Sequence, residues 1–242
     1  MDFLSFRELF LQIFLKNGLD EYTDDGIIRN FYDLTEIMVE TNKVMNITAL
    51  TTPDKIIPLH YADCIKAEAL IPQNSTVADI GCGGGFPILP LSIVRPDLKI
   101  TGIDSTDKKV RYVQSTANTL GLSVHTISGR AEDLAKDAQY RDGFDVVISR
   151  AVARLNILDE LCMPFVKVGG KFIAMKGSAG QEEMNEAENG IMRLGGEMTH
   201  SHEYPLYLSE NEEKRFLIVV DKKMSTPREF PRSFGAIKKK PL

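Results

Sequence analysis

Val77-Ala78-Asp79-Ile80-Gly81-Cys82-Gly83-Gly84-Gly85-Phe86-Pro87 runs from residues that suit a buried strand into a glycine-dense turn and then a helix start. Gly81, Gly83 and Gly85 remove the Cβ where the backbone must bend sharply and where a ligand can approach the main chain. Pro87 suits the first position of a helix. The spacing therefore predicts a ligand over Gly81 to Phe86. Outward from this turn, the next acid at a strand end is Asp104, in Leu98-Lys99-Ile100-Thr101-Gly102-Ile103-Asp104. It stands close to the offset of roughly 20 residues at which an acid meets ribose hydroxyls. Glycines plus a ribose acid imply a nucleoside cofactor.

A dinucleotide site wants a third glycine where the helix packs close to the strand, and here that position is Phe86. The chain offers Asp79-x-Gly81-x-Gly83-x-Gly85 instead. S-adenosylmethionine has no phosphate to cradle and carries an ammonium and a sulfonium, so a carboxylate such as Asp79 is a favourable neighbour. The pattern therefore favours S-adenosylmethionine, with a dinucleotide enzyme or a fortuitous glycine turn as alternatives.

Around this motif, apolar strands alternate with helices, the pattern of an α/β fold with a parallel sheet and crossover connections. Strands are expected near residues 77–80, 99–103, 124–127, 145–149 and 171–175. A later pair near 198–207 and 216–220 reads as antiparallel and closes one edge. Val110, Val113, Ala117 and Leu120 form a helical stripe ended by Gly121. Ahead of the sheet, Phe3, Phe6, Phe10 and Ile13 recur at helical spacing up to Asn17-Gly18. Arg7 and Glu8 interrupt that run, which makes it an amphipathic helix and not a signal peptide. Asp24 and Asp25 can cap a second helix, and Thr52-Pro53 starts a third that runs towards Leu70.

A chain of 242 residues with 43% hydrophobic content is long enough for one α/β domain with appended elements. Cys64, Cys82 and Cys162 form no C-x-x-C pair, which predicts a reducing compartment, no disulfides and a cytoplasmic location. No stretch approaches the roughly 18 apolar residues of a membrane span. The net charge of −5 argues against a protein that coats nucleic acid all over. The average hides an asymmetry: residues 1–40 hold nine acids against three bases, whereas residues 222–242 hold seven bases against one acid. Phe230 and Phe234 interleave with that basic tail, and Pro227, Pro231 and Pro241 discourage regular structure in it. A phosphate backbone suits such a tail, with Arg228, Arg232, Lys238, Lys239 and Lys240 as the contacts. A solvated tail that merely aids solubility is the competing reading.

Ligands of open α/β sheets bind outside the carboxyl ends of the strands. Those ends are Gly81 to Phe86, then Asp104-Ser105-Thr106, then Gly129-Arg130-Ala131-Glu132 where an adenine edge is met, then Ser149-Arg150-Ala151-Val152 beside a transferred methyl. Arg150 can orient a carboxylate or hold a phosphate or guanine edge in bidentate geometry, and its alternative is a structural ion pair. The fourth strand end lacks both the Asn/Asp-Pro-Pro-aromatic run that suits exocyclic amines and the cysteine needed at pyrimidine C5. A ring nitrogen such as guanine N7 exposes a lone pair and has no proton to lose, so alignment and exclusion of water suffice. His200 and His202 lack the partners of a metal site, Cys82 is a small filler, and His60 either satisfies a helix or faces the substrate cleft.

With these residues in place, the chain resembles the bacterial 16S rRNA guanine-N7 methyltransferases, also called glucose-inhibited division protein B. The resemblance covers nearly the whole chain. It rests on Asn46-Ile47-Thr48-Ala49 with His60 and Asp63, on residues 79–87 continuing into Pro90-Leu91-Ser92-Ile93-Val94-Arg95-Pro96, and on Asp104-Ser105 followed by Lys108-Lys109. Arg130-Ala131-Glu132, Ser149-Arg150-Ala151, Lys176-Gly177 and the Thr226-Pro227…Phe230-Pro231-Arg232 tail complete it. The resemblance implies a Rossmann-like seven-stranded S-adenosylmethionine-binding sheet with an N-terminal helical extension. It also implies methylation of one guanine N7 in the 530-region hairpin of small-subunit rRNA. Cofactor contacts are then expected from Asp79, Gly81, Gly83, Gly85, Phe86, Asp104, Ser105, Thr106, Ala131, Glu132 and Arg150, the last also positioning substrate. The chain departs from the family at Cys64, where Ser is frequent, and at Pro58, which enters the third helix and kinks it.

The organisation expected is a helical extension over residues 1–70, a core over 71–222 and a basic tail over 223–242, in a monomer whose partner is small-subunit rRNA or a ribosomal particle, with no membrane and no metal. A small-molecule methyltransferase with a helical lid, or a non-catalytic module that docks on ribosomes, would fit the same motifs.

Overall fold

In the computed structural model, which describes all of residues 1–242, the seven strands lie side by side in the order β3-β2-β1-β4-β5-β7-β6. They are β1 (Thr76–Ile80), β2 (Lys99–Asp104), β3 (Val124–Ser128), β4 (Phe144–Arg150), β5 (Val166–Lys176), β6 (Gly196–Tyr207) and β7 (Glu212–Lys222). The first five are parallel, and β7 and β6 continue the sheet antiparallel, as the later pair was expected to. Strand order reverses direction at β1 and β4, and a crevice opens there outside their carboxyl ends.

Successive residues of the inner strands feed opposite faces, because side chains alternate along a strand. Val146, Ile148, Ile173 and Met175 join one hydrophobic core, while Val147, Phe172 and Ala174 join the other. On the first face lie α1 (Phe3–Lys16), α2 (Asp25–Asn42), α3 (Pro53–Ile56), α4 (Asp63–Ile65), α5 (Ile88–Val94) and α6 (Asp107–Thr119). On the second lie α7 (Ala131–Leu134), α8 (Leu155–Cys162), α9 (Gly180–Arg193) and α10 (Phe234–Lys239). The N-terminal helices thus share a core with the sheet: Phe6, Phe10, Phe14 and Phe31 are buried in the same cluster as Val77 and Ile148. Asp2 and Asp24 cap α1 and α2 by accepting the Ser5 and Gly26 amides at 3.0 and 2.8 Å.

Four expectations are refined or corrected. Pro87 sits just before α5, at its N-cap, because the glycine turn extends through Phe86 and the helix begins at Ile88. At Pro58, where a kink was expected, the third helix widens. Residues Ile57–Ala62 form a π-helical turn between α3 and α4, and this widening accommodates a proline that lacks an N–H and crowds the preceding turn. The C-terminal segment is irregular over residues 223–233, but it ends in α10 and is packed and not solvated: Phe230 and Ile237 are buried against the second core. Lys222, counted with the basic tail, is buried, with its ammonium donating to the Met163 carbonyl at 2.6 Å and to the Thr226 hydroxyl.

Candidate active site

The turn after β1 is tied to the end of β2, because the Gly81 and Cys82 amides both donate to the Ile103 carbonyl, at 2.8 and 3.0 Å. Gly81, Gly83 and Gly85 all take positive φ, and at Gly85 an added Cβ would lie 2.5 Å from Leu89 Cδ1. Only glycine meets that combination of backbone conformation and close packing. Asp104, the last residue of β2, accepts the Gly83 amide on Oδ2 at 3.0 Å and the Thr106 amide on Oδ1 at 2.8 Å. A carboxylate offers about four acceptor positions, so each oxygen keeps capacity for a hydroxyl donor.

These groups border a cleft of about 450 Å³ whose lining includes Gly81, Gly83, Phe86, Asp104, Ser105, Ala131, Glu132 and Arg150. Eight of the expected cofactor residues are therefore brought together. Three are not on its wall. Gly85 serves the turn beneath, and Thr106 holds Asp104 through its amide. Asp79 is fully buried behind Ile80, with both carboxylate oxygens lacking a hydrogen-bond partner. Burial, opposed by Arg150 and reinforced by Asp104, holds the Asp79 carboxyl well above the usual carboxylate range.

Arg150 closes the opposite wall. Its Nη1 donates to the Leu59 carbonyl at 2.7 Å and to Asp63 Oδ2 at 3.0 Å, and its Nη2 stands 3.0 Å from His60 Nδ1. Asp63, the first residue of α4, also accepts the Tyr204 hydroxyl at 2.9 Å, so α4, β4 and β6 meet at one buried carboxylate. The His60 ring stacks on Phe86 with centroids 4.2 Å apart, and its Nε2 lies 2.8 Å from Thr48 Oγ1. Burial, with the neighbouring Arg150 cation second, lowers the His60 pKa to about 3, so the ring is neutral. Next to Arg150, Ala151 adopts φ +58, a left-handed conformation that costs an alanine roughly 1–2 kcal/mol. A second cleft of about 590 Å³ adjoins the first and shares His60, Arg150, Ala151 and Val152, with Lys176 and Arg215 beyond.

The C-terminal basic residues divide. Arg228, Lys238, Lys239 and Lys240 are exposed, whereas Arg232 is committed to the buried Glu160 through Nη2–Oε2 at 2.6 Å and Nε–Oε1 at 2.9 Å. Arg232 is thus corrected from a phosphate contact to an anchor, since its guanidinium is already paired. Sequence reasoning missed Thr48, Lys109 and Phe234 as wall residues of the first cleft. Thr48 and Lys109 stood in stretches that carried the family resemblance, but nothing local marks which side chain of each faces inward. Cys82 is a buried filler, as expected: it packs where a Cβ on Gly102 would meet it at 3.1 Å, and burial pushes its thiol far up.

S-adenosylmethionine fits the residues present. Asp104 matches ribose hydroxyls, the glycines leave room against the main chain, and the unpartnered Asp79 carboxyl suits a cationic neighbour. The His200 and His202 rings lie 6.3 Å apart, and no group of three or more His, Cys, Asp or Glu side chains is placed to hold a metal ion. No helix is long and apolar enough to cross a membrane.

Comparison with known proteins points the same way. A family model described as GidB, rRNA small subunit methyltransferase G, matches residues 27–206. Proteins named ribosomal RNA small subunit methyltransferase G are similar: that of Streptococcus pyogenes is 42% identical, covering 86% of this chain and 88% of the relative. That of Brevibacillus brevis is 39% identical over 98% of this chain and 99% of its own. Among solved structures, NSun6 from Pyrococcus horikoshii with SFG superposes with a TM-score of 0.54 at 12% identity, covering 67% of this chain and 52% of that one. A putative RNA methyltransferase from the same organism gives 0.51 at 11% identity, covering 67% and 83%. At such identities these structures bear on the fold alone.

Proposed function

Because this chain belongs to the rRNA small subunit methyltransferase G family, we propose that it methylates N7 of a single guanine in the 530-region hairpin of small-subunit (16S) rRNA, with S-adenosylmethionine as donor. The observation that carries this reading is the cleft outside β1, β2 and β3, where Asp104 is held by two main-chain amides beside the glycine turn. When bound, the cofactor supplies an electrophilic methyl on a sulfonium. Gly81 and Gly83 let the main chain approach it, Asp104 with Ser105 takes the ribose, Ala131 and Glu132 flank the adenine, and Phe86 covers one side. The Asp79 carboxyl, kept towards its neutral form by burial, lies behind the turn, where an approaching cation would favour its ionised form.

The adjoining second cleft would receive the guanine, since it meets the first at His60 and Arg150. A ring nitrogen with a free lone pair needs alignment and a dry site, and no base. His60 suits a positioning role because it is neutral and both its nitrogens are engaged, with Thr48 and Arg150. Arg150 acts as a positioning residue through His60 and the Leu59 carbonyl. The exposed Arg228, Lys238, Lys239 and Lys240 supply phosphate contacts, as backbone neutralisation requires. In this reading residues 1–70 shape the RNA-facing side, 71–222 hold the cofactor and 223–242 carry the basic tail, in a cytoplasmic monomer acting on rRNA or on a ribosomal particle.

The test is a transfer assay with methyl-labelled cofactor, offering small ribosomal subunits and bulk rRNA from cells lacking this activity beside a metabolite extract. Labelled RNA is then mapped by chemical cleavage at N7-methylguanine. One cleavage site in the small-subunit RNA is the expected result. Label in the metabolite fraction alone would overturn the RNA substrate, and cofactor binding with no transfer anywhere would favour a docking module.

A further inference from the structure

We infer that Phe234, brought in by the C-terminal segment, forms a wall of the adenine end of the cofactor cleft, so that this segment serves cofactor binding as well as RNA. The inference rests on the cofactor reading above and adds a residue to it. Phe234 lines the same cleft as Ala131, Glu132 and Leu161, and α10 and α7, which carry Phe234 and the Ala131-Glu132 pair, both pack against α8, which carries Leu161. The ring is not there to fill the core: Phe234 is 37% exposed, whereas Ile237, one turn along the same helix, is fully buried.

The segment that carries the ring is fixed at several points. Arg232 donates its backbone amide and its guanidinium to Glu160, which is fully buried on α8. Arg141 donates to the Thr226 carbonyl at 2.7 Å and to the Phe230 carbonyl at 2.9 Å. Phe230 is buried, with the Arg193 guanidinium 5.5 Å from its ring centroid. A solvated tail that only meets phosphates needs none of these anchors. A segment that must hold an aromatic ring at the edge of a nucleoside cleft needs them, because a wall contributes only if its position is fixed before the ligand arrives. An aromatic face suits adenine by stacking or by edge contact, and a purine offers the same π surface whichever group its ribose carries.

The test is calorimetric titration of the full chain, without RNA, with S-adenosylhomocysteine and with 5′-methylthioadenosine, which keeps adenine and ribose but lacks the amino-acid end. Phe234→Ala is expected to weaken both ligands about tenfold, equivalent to about 1.4 kcal/mol, while the melting temperature of the ligand-free protein stays within about 2 °C of the parent. Phe234→Tyr should restore most of the affinity. Parent-like binding of both ligands by Phe234→Ala would overturn the inference, as would a loss confined to S-adenosylhomocysteine, which would move the ring to the amino-acid end. Failure of the parent protein to bind either ligand would instead overturn the cofactor reading beneath.

Discussion

Arg150→Ala tests how the cleft is built. The guanidinium has three partners: the Leu59 carbonyl at 2.7 Å, Asp63 Oδ2 at 3.0 Å and His60 Nδ1 at 3.0 Å. Truncation leaves Asp63, 5% exposed, with the Tyr204 hydroxyl at 2.9 Å and with Arg215 Nε at 3.7 Å as its remaining cation. Removing one partner of a buried ion pair costs about 3–5 kcal/mol, and the nearby Arg215 argues for the lower end, about 3 kcal/mol. At about 2–4 °C per kcal/mol for a chain of this size, the melting temperature should fall by about 6–12 °C. The sequence leaves Arg150 between an orienting role and a structural ion pair; the geometry predicts substantial losses in both methyl transfer and stability. The assay is differential scanning calorimetry of Arg150→Ala, Asp63→Ala and the double variant. Asp63→Ala with Arg150→Ala should cost less than the sum of the singles by about 1–3 kcal/mol. A melting temperature within about 2 °C of the parent, with no coupling between the two sites, would refute the claim that this pair holds α4 against β4.

The other predictions concern single groups. Asp104→Ala should weaken S-adenosylhomocysteine binding about 100-fold by calorimetry, since two charge-assisted hydrogen bonds to ribose are each worth about 1.5 kcal/mol or more; a change below about threefold would remove Asp104 from the ribose site. Gly83→Ala and Gly85→Ala should part company. A Cβ at Gly83, on the cleft wall, meets nothing nearer than 3.8 Å, so Gly83→Ala should cost only the roughly 1–2 kcal/mol of its positive φ while weakening ligand binding. At Gly85 the collision with Leu89 and the positive φ should cost about 2–4 kcal/mol in urea unfolding. Asp159, beside Glu160, Arg232 and Lys176, has its pKa raised to about 7, chiefly by burial. The unfolded chain ionises this group near its ordinary value of about 4 while the folded one keeps the proton. The group therefore removes stability as pH climbs from about 4 to 7 and no more above that. Asp159→Asn should flatten the fall of melting temperature across that window, and an undiminished slope would show that other groups cause it.

The legibility of this chain followed the range of the physics. Residues 77–87 declare a strand, a turn and a helix because alternation, positive φ and capping act between near neighbours. Asp104 was found because its offset from Gly81 is set by one helix and one strand, a nearly constant length of chain. Asp24 and Asn17 stand where helix-end chemistry requires them. The strands were short by one or more residues at their ends: β5 begins at Val166, five residues before the apolar run that marked it, because Gly169 and Gly170 lie in an irregularity that shifts its register with β4 and breaks the apolar pattern. The tail misled for a related reason. Seven bases and three prolines describe composition, and composition does not reveal that Arg232 meets Glu160 across 72 residues or that Ile237 finds an empty place in the core.

The sequence by itself determined a parallel α/β sheet, a nucleoside cleft at the end of its first strand and a cofactor without phosphates, all consequences of local pattern. Only the tertiary structure decided where Arg150, His60, Asp79 and Phe234 lie and what they touch. Their partners, Asp63, Phe86 and Thr48 among them, come from segments far apart in the chain, and burial and pairing exist only once those segments have packed. A charge in the sequence is free. In the fold its meaning depends on which carboxylate, carbonyl or ring the packing sets within about 3–6 Å of it, where the electrostatic and aromatic terms are strong enough to choose its role.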